Sequence, residues 1–123
     1  MSHESITEAE LRVESSFEPD VVGLRLSGSA DTRSMGSLGA VVTRAADEVK
    51  QRGVREVLVD LRDLEFMNSS CFKHFVTWIC GLEEVSPLSG PHFRFRSDPR
   101  HLWQRRSLHA LSGLAVGRVS VET

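Results

Sequence analysis

From Leu11 to Phe17 apolar and polar residues alternate, the period of a strand with one covered face, and Glu18-Pro19-Asp20 breaks the run. Val22 to Leu26 alternates again, so the two stretches predict a hairpin, ended by Gly28 and the polar cluster Ser29 to Ser34. Leu38, Val41, Val42, Ala45, Ala46 and Val49 then recur at intervals of three and four, an amphipathic helix that stops near Gly53. Val57 to Leu61 is a short β-branched run of central-strand type.

A second helix is predicted from Cys71 to Leu82, with Phe72, Phe75, Val76 and Ile79 as its apolar stripe. Trp78 lies off that stripe and is expected to be at least partly exposed, either anchoring an interface or packed on the loop Leu82 to Leu88. Pro87 and Gly90 mark a loop, and Phe93 and Phe95 alternate with Arg94 and Arg96 as a strand. Asp98-Pro99 reads as a helix start, Asp capping and Pro in the first turn. That helix carries Leu102, Leu108 and Leu111 and stops at Gly113, and Val119 and Val121 form a last strand. The order β-β-α-β-α-β-α-β predicts an α/β fold, a mixed, mostly parallel sheet flanked by helices. Residues Met1 to Thr7 are expected to be loose.

A chain of 123 residues suits one domain, and 40% hydrophobic with 26% charged residues is an ordinary globular composition. A formal net charge of −2 implies no general attraction to nucleic acid or anionic membrane. No apolar run approaches the ~20 residues of a membrane span, and Met1 to Glu8 lacks a signal peptide's regions, so a cytoplasmic location is expected. Cys71 and Cys80 stand nine apart on one predicted helix, roughly 13 Å, too far to bridge. From His92 to Arg118 the only acid, Asp98, accompanies six arginines, read as a solvated face or else a patch for an acidic protein surface.

Asn68-Ser69-Ser70 is where the chain is arranged for chemistry. It follows the strand-like run Glu56 to Leu61 and opens the second helix, where free N–H groups and the helix dipole favour an anion. Two readings stand: these residues cap the helix, or they carry a phosphate, bound or covalently attached. Cys71 with His74 one turn on suggests a nucleophile and base, but no third group orients the histidine. Thr77 stands where a phosphatase-type loop has arginine, so a buried or capping cysteine is the expectation. His3, His74, His92, His101 and His109 show no metal-ligand spacing, and Gly36 and Gly39 lack the Lys-Ser/Thr ending of a nucleotide loop. No metal or cofactor is expected.

The element order, the segment Leu24-Arg-Leu-Ser-Gly28 followed by Ala30-Asp31, and Val57-Leu-Val-Asp-Leu61 through Phe66-Met-Asn-Ser-Ser70 resemble the STAS domain family, specifically bacterial anti-sigma-factor antagonists. The resemblance runs from about Leu11 to Val121, and Leu111-Ser-Gly-Leu114 is similar to the family's closing helix-to-strand turn. In that family the central strand leads to Phe or Ile, Met or Ile, then Asp-Ser-Ser/Thr-Gly at a helix start, and the first serine accepts phosphate. The resemblance implies that Ser69 is the phosphoacceptor, with Ser70 as second choice. It further implies that Asp31 and Thr32 with Asn68, Cys71, Phe72 and Lys73 receive the partner. That partner would be a serine kinase of the anti-sigma-factor type, and a metal-dependent serine phosphatase would reset the switch, with no catalysis by this chain. Two positions depart from the pattern: Asn68 replaces the Asp, and Cys71 replaces the Gly, adding a side chain where the family keeps the surface bare. The competing reading is a STAS scaffold that docks without being phosphorylated.

Overall fold

The computed structural model describes residues 2–85 and 90–123. Within them the strands are β1 (Ser2–Glu8), β2 (Leu11–Phe17), β3 (Val21–Ala30), β4 (Glu56–Met67), β5 (His92–Arg96) and β6 (Val119–Glu122), lying in one sheet in chain order. The helices are α1 (Met35–Arg52), α2 (Ser69–Val85) and α3 (Leu102–Leu114). β1, β2 and β3 pair antiparallel, and β3, β4, β5 and β6 pair parallel. Each parallel step moves the chain one place in the same direction, and right-handed crossovers therefore lay all three helices on one face. The α/β class and mixed sheet agree with the hydrophobic pattern.

The covered face carries Val13, Phe17, Val22, Leu24, Leu26, Val57, Val59, Phe93 and Phe95. Phe75 and Trp78 of α2 meet Phe95 and Phe93 edge to face, with centroids 6.1 and 4.8 Å apart. The other face is open and polar. There Arg94 pairs with Glu56 (2.9 Å), Arg96 with Glu122 (2.8 Å) and Arg25 with Asp63 (2.7 Å). In the arginine-rich C-terminal third, Arg94 and Arg118 thus meet acids from earlier elements, Glu56 and Glu83 of α2, while Arg96 meets Glu122 and Arg100 the nearby Asp98.

Several expectations change. Residues 2–8 are not loose: Ser2–Glu8 is an edge strand in unbroken register with β2, Ser2 opposite Phe17 and Glu8 opposite Leu11. Both of its faces are exposed, so burial writes no alternation into it; ladder bonds hold it, with Arg44 of α1 reaching Glu4 at 2.8 Å. β3 runs to Ala30 and β4 to Met67, beyond the predicted ends at Leu26 and Leu61. Trp78 is buried (9% exposed), because the α2 stripe turns toward Cys71, Phe75, Trp78 and Ile79, leaving Phe72 and Val76 at its margin. Asp98 does not cap α3. Its carboxylate accepts the Arg100 N–H (2.9 Å) in a local turn, and the helix opens at Leu102, which is 71% exposed. Gly113 lies inside α3, which ends at Leu114. Pro87 and Leu88 lie outside the described residues.

Candidate functional site

β3 and β4 end side by side, Ala30 opposite Met67, so the chain leaves both strands at one point. There the Asn68 N–H donates to the Ala30 carbonyl (3.0 Å). Asn68 then turns the chain into α2: its Oδ1 accepts the Cys71 N–H at 2.8 Å and its carbonyl the Phe72 N–H at 3.1 Å. This is an N-cap built from one residue. Ser69 and Ser70 occupy the first two helical positions, both exposed, and among the described residues neither hydroxyl makes a hydrogen bond. They differ in outlook. Ser70 lines a groove of about 570 Å³ between α1 and α2, with Met35, Thr43, Asp47, Lys73 and His74. Ser69 lies outside it, on the solvent side of the same turn.

The Asp31 loop closes against this turn. Asp31 donates its N–H to Ser34 Oγ (3.2 Å), and its carbonyl accepts the Ser34 N–H (3.1 Å). Its carboxylate is gripped by Arg33 through the backbone N–H (2.9 Å) and Nη2 (2.8 Å), and these bonds hold it below the usual carboxylate range. Thr32 is exposed at the tip.

Cys71 is buried, as its residue context predicts, and this removes it from the partner-receiving surface that the family resemblance implies. Its side chain is fully buried, and the thiol donates to the Asp31 carbonyl across 3.4 Å, so it adds nothing to the exposed surface. Burial, and then the Asp31 charge, push its pKa up, the opposite of an activated nucleophile. His74 is turned to α1 instead, its Nε2–H donating to the Met35 carbonyl at 3.1 Å, and among the described residues it makes no hydrogen bond to Cys71. Phe72 is half-buried and Lys73 exposed.

The structure thus brings Asp31, Thr32, Asn68, Ser69 and Lys73 to one corner of the molecule, with Cys71 as the pin beneath. Sequence reasoning missed three contributors. Arg33 fixes the Asp31 carboxylate; a cation two residues after an acid was the available signal. Phe66 is 49% exposed beside the cap, facing away from the buried Met67 in the part of β4 that continues beyond the predicted end at Leu61. Gln104 is fully buried and carried no signal. Among the described residues no three His, Cys, Asp or Glu side chains converge as metal ligands, and no helix is long and apolar enough to cross a membrane.

No protein-family model and no curated protein matches the sequence. Solved structures do. SiaC of Pseudomonas aeruginosa in its apo form is 16% identical over all of both chains, with a TM-score of 0.71. An anti-sigma factor antagonist from Mycobacterium paratuberculosis is 16% identical over 84% of this chain and 80% of that one, at 0.63. The Bacillus cell fate determinant SpoIIAA in its phosphorylated form is 21% identical over 90% and 91%, at 0.60. The fold is that of the anti-sigma factor antagonists. In this antagonist fold the strand-to-helix turn at Asn68 and the Asp31 loop stand at the C-terminal ends of neighbouring parallel strands, where open α/β sheets present their sites. SpoIIAA has also been solved unphosphorylated, 18% identical, with a TM-score of 0.61.

Proposed function

We propose that this chain is a non-enzymatic regulatory protein of the anti-sigma-factor-antagonist type, acting in a cytoplasmic partner-switching pathway through phosphorylation of Ser69. The observation that carries the reading is the division of labour at the turn. Asn68 does the capping, and the Ser69 hydroxyl is exposed and among the described residues makes no hydrogen bond, so a phosphate can be added without dismantling α2. Phosphorylation adds about −1.5 to −2 charges. The helix N-terminus and Lys73, four residues on along the same face, accommodate that charge within the domain. A partner seated over Thr32, Phe66 and Ser69 on the neutral form meets it as a desolvation and repulsion cost, and each 1.4 kcal/mol lost is about tenfold in affinity. The partner is a serine kinase of the anti-sigma-factor type, which binds the unmodified form. A metal-dependent serine phosphatase returns the chain to that form.

Incubation with the candidate kinase and ATP, read by intact mass, tests this. The wild type and Ser70→Ala should each gain one phosphate and Ser69→Ala none. Undiminished labelling of Ser69→Ala removes the assignment. A wild type that takes up no phosphate, with a complex that survives Ser69→Asp, replaces the switch with a phosphorylation-independent scaffold.

A further inference from the structure

β4 changes character after Asp60. β5 pairs with it from Glu56 to Asp60, while β3 follows it to Met67 through two register shifts, so residues 61–65 are bulged and, among the described residues, have no strand on the β5 side. Backbone carbonyls in such a stretch need other partners. Four find them on three residues at the start of α3. Gln104 Nε2 donates to the carbonyls of Leu61 (2.6 Å) and Leu64 (3.0 Å). His101 Nε2 donates to that of Arg62 (3.2 Å), and the Trp103 indole N–H to that of Glu65 (2.8 Å). Gln104 is fully buried, and its Oε1 accepts the Asp98 N–H at 3.0 Å, which fixes the amide's orientation.

We infer that the first turn of α3 is a positioning clamp for the Ser69 turn, with Gln104 at its centre and Trp103 and His101 beside it. The inference rests on the reading of that turn as a switch and says what holds it in shape. The clamped stretch ends three residues before Asn68, whose N–H must reach the Ala30 carbonyl for the cap to sit against the Asp31 loop. The bulges set the phase of the strand there. They turn Leu64 inward where plain alternation would put Asp63 and Glu65, and they take up two extra residues of β4 so that Met67 comes level with Ala30; the clamp thereby determines where the cap falls. Without it the bulges have no reason to persist. β4 can then relax toward regular pairing, which carries Met67 two residues past Ala30 and takes the Asn68 N–H away from the Ala30 carbonyl.

Amide hydrogen exchange on the whole chain tests the clamp without any kinase, so it stands or falls separately from phosphorylation. The variants are Trp103→Phe, which keeps an aromatic ring of smaller size and removes the indole donor, and Gln104→Met, which keeps the volume and removes both N–H donors and the Oε1 acceptor. Arg106→Ala, on the exposed side of α3, is the control. The amides of Asn68, Cys71 and Phe72 should exchange at least about tenfold faster in Trp103→Phe, and faster again in Gln104→Met. Amides of Val42 to Val49 in α1 should stay within about twofold of wild type, and the control should change none of these. Unchanged rates at Asn68, Cys71 and Phe72, acceleration confined to α3, or equal acceleration in α1 would each overturn the inference.

Discussion

Asn68 and Ser69 are neighbours of the same chemical kind with separate tasks, and only geometry separates them. Asn68→Ala leaves the Cys71 N–H without its acceptor and should destabilise the fold by about 1 kcal/mol, whereas Ser69→Ala should stay within about 0.5 kcal/mol. Urea denaturation of the two variants checks the contrast. Cys71 is the second case. The thiolate is the reactive form, and burial both disfavours it and denies access. Iodoacetamide at neutral pH should therefore modify Cys71 in the native protein at least about tenfold more slowly than in the urea-unfolded chain, read by peptide mass spectrometry. Rapid native labelling would restore the nucleophile that the sequence suggests beside His74. The candidate serines and the anion-favouring turn were legible in the residues themselves. The direction of the Cys71 thiol was not, since its acceptor is forty residues away at Asp31.

Among the elements, those that bury one face were readable and those that do not were missed. β2, the first half of β3 and α1 follow their periods because one side meets the core. β1 has no covered side, so its sequence carries no period although its ladder is complete. β4 fails in another way, because two bulges change the period after Asp60 from two to three. The turn end of the β2–β3 pair depends on Gly28. Gly28 lies opposite Leu11 with φ of 89°, and a Cβ there would stand 1.9 Å from the Glu10 carbonyl oxygen. Gly28→Ala should cost about 2–4 kcal/mol, combining left-handed strain with that collision. A thermal midpoint equal to wild type would show that the Glu10 turn can move aside.

At the scale of the molecule the charges are organised as pairs, and this sets the acid response. Arg100 holds Asp98 down to about 2, and Arg33 holds Asp31 below its ordinary value. For Asp60 burial pushes the pKa up, but bonds from the Arg62 side chain and N–H outweigh it and leave the group lowered. A carboxylate depressed in the folded state binds protons more readily when unfolded. Its contribution is therefore present above the unfolded value, near ~4, and is lost as pH falls toward the folded one. The thermal midpoint should be level from pH 7 to about 5 and fall between about 4 and 2. Circular dichroism melts across that range test this, and a midpoint unchanged at pH 2.5 would contradict the assigned pairs.

The sequence by itself determined what short-range physics encodes: the alternation of half-buried strands and amphipathic helices, the α/β class, and a polar strand-to-helix turn suited to an anion. Each is a local preference repeated along the chain, so it shows in the spacing of residues. The tertiary structure alone decided which of two serines is clear of the groove, that the Cys71 thiol meets the Asp31 carbonyl, that Trp78 is core, and that Gln104 holds the bulged strand beneath the site. Those outcomes depend on atoms brought together from segments forty residues apart, and nothing in the spacing along one segment records where another will lie.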